Sequence, residues 1–451
     1  MVKKGRYFRS PHIVLLFSLF LFMLLNCPQS LADFVKVQGT RFSVNGSAYR
    51  FIGFNLRGIC HYGEGDVLPY SQSSDRSYTL NYTKNTIGGR VIRAFICNKY
   101  ISKEEVARRL KIVLDLAQSY GVHVICCFTD YYMESNMWVK GDDNFYVNSR
   151  LGLTWIRTNH TVNYNPTVQY VVNYLKDHQA IFAWEVANEL KNLDDKEAFI
   201  TFMINTKNLI KGIDSNHMVA TGMISARHTL LSSEQATRLF SQFDFLTNHC
   251  YDGSDLENDI ATAQALNKPL IIEEAGFFYS SDRPTRISND IQKWMGRGAA
   301  GYMQWGFKPG SMDNGDGDRE VGLNYTDVDF QQVVNVYKQW AQTLASESQP
   351  TSPPNNTPTK TSTPTATKTN TPAPTKTPTI TSKPCNKGDL DCNNSVTPGD
   401  ALLCFQMYME IYHPTGSEPC QVTCAADWNS DSAITPGDAL CIFKQYLEQP
   451  C

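Results

Sequence analysis

The sequence predicts an α/β protein: a (β/α)8 TIM barrel, then a linker, then a small and mostly α-helical module. Three observations predict it. Short apolar runs alternate with helical periodicities over roughly residues 33–345. The composition then changes abruptly to Thr, Pro, Lys and Ser over residues 346–384. The last stretch, 385–451, contains a duplicated segment and a concentration of cysteine. A chain of 451 residues, 42% hydrophobic, suits one large core and one small one.

The elements follow in chain order. Residues 1–32 read as a secretory signal peptide. Lys3, Lys4, Arg6 and Arg9 precede an apolar run from Ile13 to Leu25, and Ser30-Leu31-Ala32 supplies small residues for cleavage. The run is short for a bilayer span. An uncleaved anchor is the alternative. A lipoprotein site at Cys27 is disfavoured because Asn26 precedes it. The mature chain is therefore expected to be secreted and extracellular, with no membrane contact beyond the signal. A net charge of −3 gives no reason to expect nucleic acid as a partner.

Strands are expected at 50–53, 91–96, 122–129, 181–186, 218–221, 243–248, 270–274 and 301–307. Most are short apolar runs, as in strands covered on both faces. Helices are expected between several of them. Val106, Leu110, Val113, Leu114 and Ala117 recur at helical spacing, as do Phe199, Phe202, Thr206 and Ile210. The segments 260–266, 287–294 and 333–344 have the same period. This alternation predicts the barrel over residues 33–345. An open doubly wound sheet is the rival, and no Gly-x-Gly-x-x-Gly turn supports its dinucleotide-binding form. Cys126 and Cys127 should face opposite sides of one strand as inert packing residues.

Barrel chemistry sits at the C-terminal ends of the strands. The fourth strand ends in Asn188-Glu189, and the seventh in Glu273-Glu274-Ala275-Gly276. Two carboxyl groups facing one bond are what glycoside hydrolysis needs. Trp184-Glu-Val-Ala-Asn188-Glu189 resembles the acid/base motif of retaining barrel glycosidases, above all glycoside hydrolase family 5. Ile272-Glu273-Glu274-Ala275-Gly276 resembles their Glu-x-Gly nucleophile motif, with Glu274 at the nucleophile position. The resemblance covers roughly residues 34–344. It implies that Arg93 braces the nucleophile, that His249 and Tyr251 form the family's His-x-Tyr pair, and that Trp305 lies under the sugar ring. Phe42-Ser-Val-Asn-Gly46 to Arg50-Phe-Ile-Gly-Phe-Asn55 resembles the family's approach to its first strand.

The implied roles are these. Glu189 carries the proton, its affinity raised by a neighbouring carboxylate. Glu274 is ionised, held so by Arg93 and Tyr251. Asn188 donates to the hydroxyl beside the reacting carbon. Retention of configuration is expected, with the carboxyl groups about 5 Å apart. Glu185 and Glu273 are expected to be structural. No metal or other cofactor is expected in catalysis. The third strand ends in Phe128-Thr-Asp-Tyr-Tyr132 where many members carry histidine. That ending resembles the mannan-cleaving branch.

In the C-terminal module, 389–400 and 427–438 are duplicates. Oxygen ligands fall at EF-hand positions one, three, five and twelve, with a main-chain carbonyl at seven. The first loop offers Asp389, Asp391, Asn393, Ser395 and Asp400. The second offers Asp427, Asn429, Asp431, Ala433 and Asp438. Two Ca²⁺ ions are expected. Each loop runs into an apolar helix, with Leu402, Phe405 and Met409 in one and Leu440, Phe443 and Leu447 in the other. Seven cysteines here imply disulfide staples and an odd one left over, with connectivity open. The paired loops resemble a type I dockerin, which implies a cohesin-bearing scaffold or cellulosome-like complex as partner. Pro398-Gly399, Pro436-Gly437, Asn394 and Ser432 depart from that pattern, so an appendage without a cohesin is the alternative.

The function expected is a secreted, monomeric endo-β-1,4-mannanase acting on a β-linked plant polysaccharide. An endo-β-1,4-glucanase of the same family is the nearest alternative. A catalytically silent glycan-binding or assembly protein is the alternative of another class.

Overall fold

The computed structural model describes residues 34–62, 69–132, 135–147, 150–191, 194–249, 251–311, 321–347, 386–390, 392, 395–408, 414, 421–430 and 434–446. The expected signal segment and the linker beyond residue 347 lie outside these. The chain divides into two compact units, 1–355 and 356–451. Among the described residues, no helix is long and apolar enough to cross a membrane.

The first unit is built on eight parallel strands. They are β1 (Phe51–Asn55), β2 (Val91–Phe95), β3 (His123–Cys127), β4 (Ile181–Glu185), β5 (Met218–Ala220), β6 (Leu246–Asn248), β7 (Leu270–Ala275) and β8 (Gly301–Gln304). Each except β6 pairs with its predecessor, and β8 pairs with β1 through Gly301–Phe51 and Gln304–Phe54. The ladder is therefore a nearly closed barrel with one seam, between β5 and β6. There Asp244 stitches the gap: its N–H donates to the Val219 carbonyl (3.1 Å), and its carboxylate accepts from the Val219 N–H (2.8 Å).

Side-chain alternation divides two environments. On β2, Ile92 and Ala94 join the core between sheet and helices. Val91 and Phe95 belong instead to clusters inside the barrel. Cys126 and Cys127 likewise fall in different clusters, and burial pushes both thiols well above the ordinary range.

Eight helices follow the strands: α1 (Ser73–Asn81), α2 (Lys103–Tyr120), α3 (Tyr164–Leu175), α4 (Lys196–Ile213), α5 (Ser233–Phe240), α6 (Leu256–Ala265), α7 (Arg283–Gly296) and α8 (Phe330–Glu347). Periodicity located α2, α4, α6, α7 and α8. It gave no expectation for α1, α3 and α5. In α2 the Ser102 side chain accepts the Glu105 N–H at the start, and Gly121 ends the helix at φ 67°. The eighth strand is shorter than expected. It ends at Gln304, because Gly306 turns the chain at φ 64° and Phe307–Lys308 pairs separately with Leu323–Asn324.

A three-stranded antiparallel sheet (Lys36–Gln38, Arg41–Val44, Ser47–Ala48) precedes β1. Its Phe42 is fully buried. The ring meets Phe182 and Phe245 edge-on, at 5.0 and 5.3 Å between centroids. Phe42 thus plugs the barrel interior at the N-terminal end of the strands, opposite the strand ends that carry Glu189 and Glu274.

The second unit contains helices α9 (Pro398–Tyr408), α10 (Val422–Ala426) and α11 (Pro436–Tyr446). Its core includes Leu390, Ala401, Cys404, Ala425, Ala439 and Ile442. Leu440 and Phe443 are instead exposed. Cys392, Cys424 and Cys441 are disulfide-bonded, and Cys404 is a buried thiol.

Candidate active site

The site begins with a charge buried on β2. Arg93 is fully buried, so its guanidinium needs partners on every side. Glu185, at the end of β4, takes Nη2 at 2.6 Å and Nε at 3.1 Å. Nη2 also donates to Asn188 Oδ1 at 2.8 Å, and Nη1 donates to Asn55 Oδ1 at 3.2 Å. Nη1 further reaches Glu274 Oε1 at 2.6 Å. One cation therefore fixes the ends of β1, β4 and β7.

Just past β4, Asn188 is locked in place. Its N–H donates to the Thr129 carbonyl at 2.7 Å, and Nδ2 donates to Asp130 Oδ1 at 2.8 Å. Glu189 then adopts a left-handed φ of 55°, a conformation costly for a side chain this size. The bond from its N–H to the Gly222 carbonyl (2.7 Å) holds it there. The turn aims the carboxylate back over the barrel mouth. Tyr132 OH donates to Glu189 Oε2 at 2.5 Å, and His249 Nδ1 meets Oε1 at 2.9 Å.

A bulge on β7 delivers the other acid. Ile272 pairs with Tyr302, but Ala275 pairs with Gln304, so Glu273 and Glu274 together oppose the single Met303. Neighbours on a regular strand point to opposite faces. The extra residue lets both glutamates turn inward. Glu273 Oε2 meets His249 Nε2 at 3.0 Å. Glu274 Oε2 accepts from Tyr251 OH at 2.7 Å. One carboxylate oxygen each of Glu189 and Glu274 and one ring nitrogen of His249 all lie within 4.8 Å of one another.

The electrostatics follow from this crowding. Burial would strip His249 of its proton, but the carboxylates of Glu274, Glu189 and Glu273 push it up to about 10. Burial raises Glu189, yet the hydrogen bond and charge of His249 and the bond from Tyr132 outweigh it and leave the carboxyl below its ordinary range. The rise expected from a neighbouring carboxylate is therefore outweighed in the sugar-free site. The sequence revealed the neighbouring carboxylate but not that a cationic imidazole would touch the acid. Burial lifts Glu185 to about 7 against the pull of Arg93. Burial also lifts Asp130, to about 6, although the Asn188 amide favours its ionised form.

Tyr132, Asn188, Glu189, His249, Tyr251 and Glu274 line a cleft of about 630 Å³ with Arg57, Ile224, His228, Asp252 and Trp305. Trp305, one residue past β8, packs against Phe95, Cys127 and Met137. The Arg57 guanidinium lies 5.2 Å from its ring centre. The structure therefore brings Glu189, Glu274, Arg93, Asn188, His249, Tyr251 and Trp305 together. Sequence reasoning missed the Tyr132–Glu189 bond, although the polar, aromatic end of β3 had been singled out. It also missed Arg57 and His228, which stand in loops without a distinctive pattern.

The expected calcium ligands are only partly visible. Asp391, Asn393, Asp431 and Ala433 lie outside the described residues. Asp400 and Asp438 make the same bonds one repeat apart. Asp400 accepts the N–H groups of Leu390 (2.7 Å) and Thr397 (2.9 Å). Asp438 accepts those of Trp428 (2.9 Å) and Thr435 (2.9 Å).

No family model matches the chain. It is similar to two tomato (Solanum lycopersicum) proteins. Mannan endo-1,4-beta-mannosidase 5 is 25% identical over 301 residues, covering 54% of this chain and 70% of the relative. Mannan endo-1,4-beta-mannosidase 3 is 24% identical over 327 residues, covering 60% and 80%. The fold resembles that of the endo-1,4-beta-mannanase from Rhizomucor miehei, with TM-score 0.55, 19% identity, and coverage of 69% of this chain and 100% of that one. The endo-beta-1,4-mannanase from Thermotoga petrophila gives 0.52, 18%, 68% and 79%.

Proposed function

We propose that the chain is a retaining endo-β-1,4-mannanase with a glycoside hydrolase family 5 catalytic domain. One observation carries the chemistry: carboxylate oxygens of Glu189 and Glu274 within 4.8 Å of each other in an open cleft. That spacing suits direct attack by one acid and leaves no room for the intervening water of an inverting enzyme, which needs roughly 6.5–9.5 Å. The tomato relatives support mannan as substrate.

Glu274 is the nucleophile. Arg93 and Tyr251 occupy its two oxygens and keep it aimed. It attacks the anomeric carbon while Glu189 gives a proton to the departing glycosidic oxygen. A covalent glycosyl-enzyme and a shortened chain result. Water then gives its proton to Glu189 and its oxygen to the anomeric carbon, and Glu274 leaves as carboxylate. Asn188 has a second Nδ2–H for the sugar hydroxyl, since Asp130 takes only one. Trp305 is the apolar floor for the ring. None of these steps needs a cofactor.

The chain is read as exported through residues 1–32 and acts outside the cell as a monomer. Residues 385–451 are a dockerin-like module. Its two loops would each hold one Ca²⁺ through the ligands named above, and the matched bonds of Asp400 and Asp438 support two equivalent sites. Leu440 and Phe443, exposed on α11, offer an apolar face to a cohesin.

The test is a product profile on mannan, glucomannan and carboxymethylcellulose. Mixed-length oligosaccharides from mannan are expected, with activity falling at least roughly a thousandfold in Glu274→Ala. Cleavage of carboxymethylcellulose alone would make the enzyme a glucanase. Absence of reducing sugar from every substrate would refute hydrolysis.

A further inference from the structure

Double displacement employs Glu189 and Glu274 and leaves Glu273 without a task, though it is fully buried at the centre of the site. His249 stands between it and the acid. Nε2 lies 3.0 Å from Glu273 Oε2, and Nδ1 lies 2.9 Å from Glu189 Oε1. Each ring nitrogen thus faces a carboxylate oxygen, and both contacts are satisfied by an imidazolium with two N–H donors or, once the Nδ1 proton has crossed, by a neutral ring that accepts from a protonated Glu189. The three side chains form a line from the barrel interior to the cleft.

We propose that Glu273 is a positioning residue which, through His249, stores the acid's proton between turnovers and returns it to Glu189 when sugar binds. The inference rests on the double-displacement reading above. Bound sugar excludes water from Glu189 and raises its proton affinity. The Nδ1 proton crosses to Oε1. His249 becomes neutral and keeps its Nε2–H on Glu273. Glu189 passes the proton to the glycosidic oxygen and recovers one from water in the second step. After product leaves, the proton returns to Nδ1. One water is consumed and the relay is restored.

The surroundings fit a store of this kind. The charged groups facing His249 are Glu189, Glu273, Glu274 (3.5 Å from Nδ1) and Arg93. Tyr132 and His228 face Glu189 from the rim. The same Oε2 of Glu273 lies 3.6 Å from Arg93 Nε, and Glu185 is close by. Removing the Glu273 charge weakens the hold on the imidazolium, so His249 should surrender its proton at lower pH.

The test compares Glu273→Gln with wild type in the full chain, on a mannooligosaccharide and on an aryl β-mannobioside with a dinitrophenolate leaving group. The aryl substrate needs no proton to depart. The variant should lose at least about tenfold more kcat on the oligosaccharide than on the aryl glycoside, since general acid catalysis is worth about 10²–10⁴. The alkaline limb of its kcat/KM profile should also move to lower pH. Equal losses on both substrates with an unmoved limb would overturn the relay and leave Glu273 merely structural. If the variant shows no cooperative melt, His249→Gln breaks the same line without touching Arg93, and the same ratio decides. Failure of the underlying reading is distinct: wild type would then cleave neither substrate.

Discussion

Gly222 shows how tightly single positions are determined. Its φ is +70°, and a Cβ there would strike the Ala187 carbonyl and approach Glu185 Oε1 to 2.5 Å. Its own carbonyl holds the Glu189 N–H. Gly222→Ala should therefore destabilise the barrel by about 1–3 kcal/mol, read as a lower denaturation midpoint. It should also lower kcat more than it raises KM, because the acid moves while the sugar floor stays. The two acids were legible in the sequence because each closes an apolar run, where a strand should stop. The environment of Glu189 was not. Tyr132 and His249 reach it from the ends of β3 and β6, and no local pattern announces contacts across a barrel mouth.

Among the elements, the strands were the most legible. Burial on both faces demands continuous apolar runs, and all eight fell within one or two residues of expectation or inside a longer expected span. The helices α1, α3 and α5 were less so: α1 and α5 are short, and in α3 polar Tyr and Asn interrupt the stripe. The bulge on β7 was hidden because it is a property of pairing, visible only against β8. The sheet before β1 was known only as an approach to that strand, and its burial of Phe42 depends on Phe182 and Phe245, far away in sequence. Phe42→Ala should cost about 3–5 kcal/mol of unfolding free energy. Since the plug lies at the end away from the cleft, kcat well below the melting range should hardly change. A matched fall in kcat would show that the two ends of the barrel are coupled.

For the whole molecule, the division into a large and a small unit was written in composition, since a Thr/Pro-rich stretch cannot bury a core. The duplicated loops were equally plain from their spacing. A 67-residue module has little core of its own, so disulfides, together with the proposed ions, would supply stability. Calorimetry with calcium should show two transitions. A chelator should abolish or lower the smaller one, leaving the barrel transition and activity on soluble mannan as they were. A small transition indifferent to chelator would remove calcium from the account.

The bulge on β7 turns the catalytic mouth into a question of parity. Regular alternation gives an even-handed strand, one neighbour in and the next out. A single surplus residue breaks that rule at the point where two successive acids must share one side. Deleting either residue would restore the count and leave one inward acid where the site holds two, however well the remaining sequence were kept. Here the spacing of the chain is as much a catalytic property as the identity of its side chains.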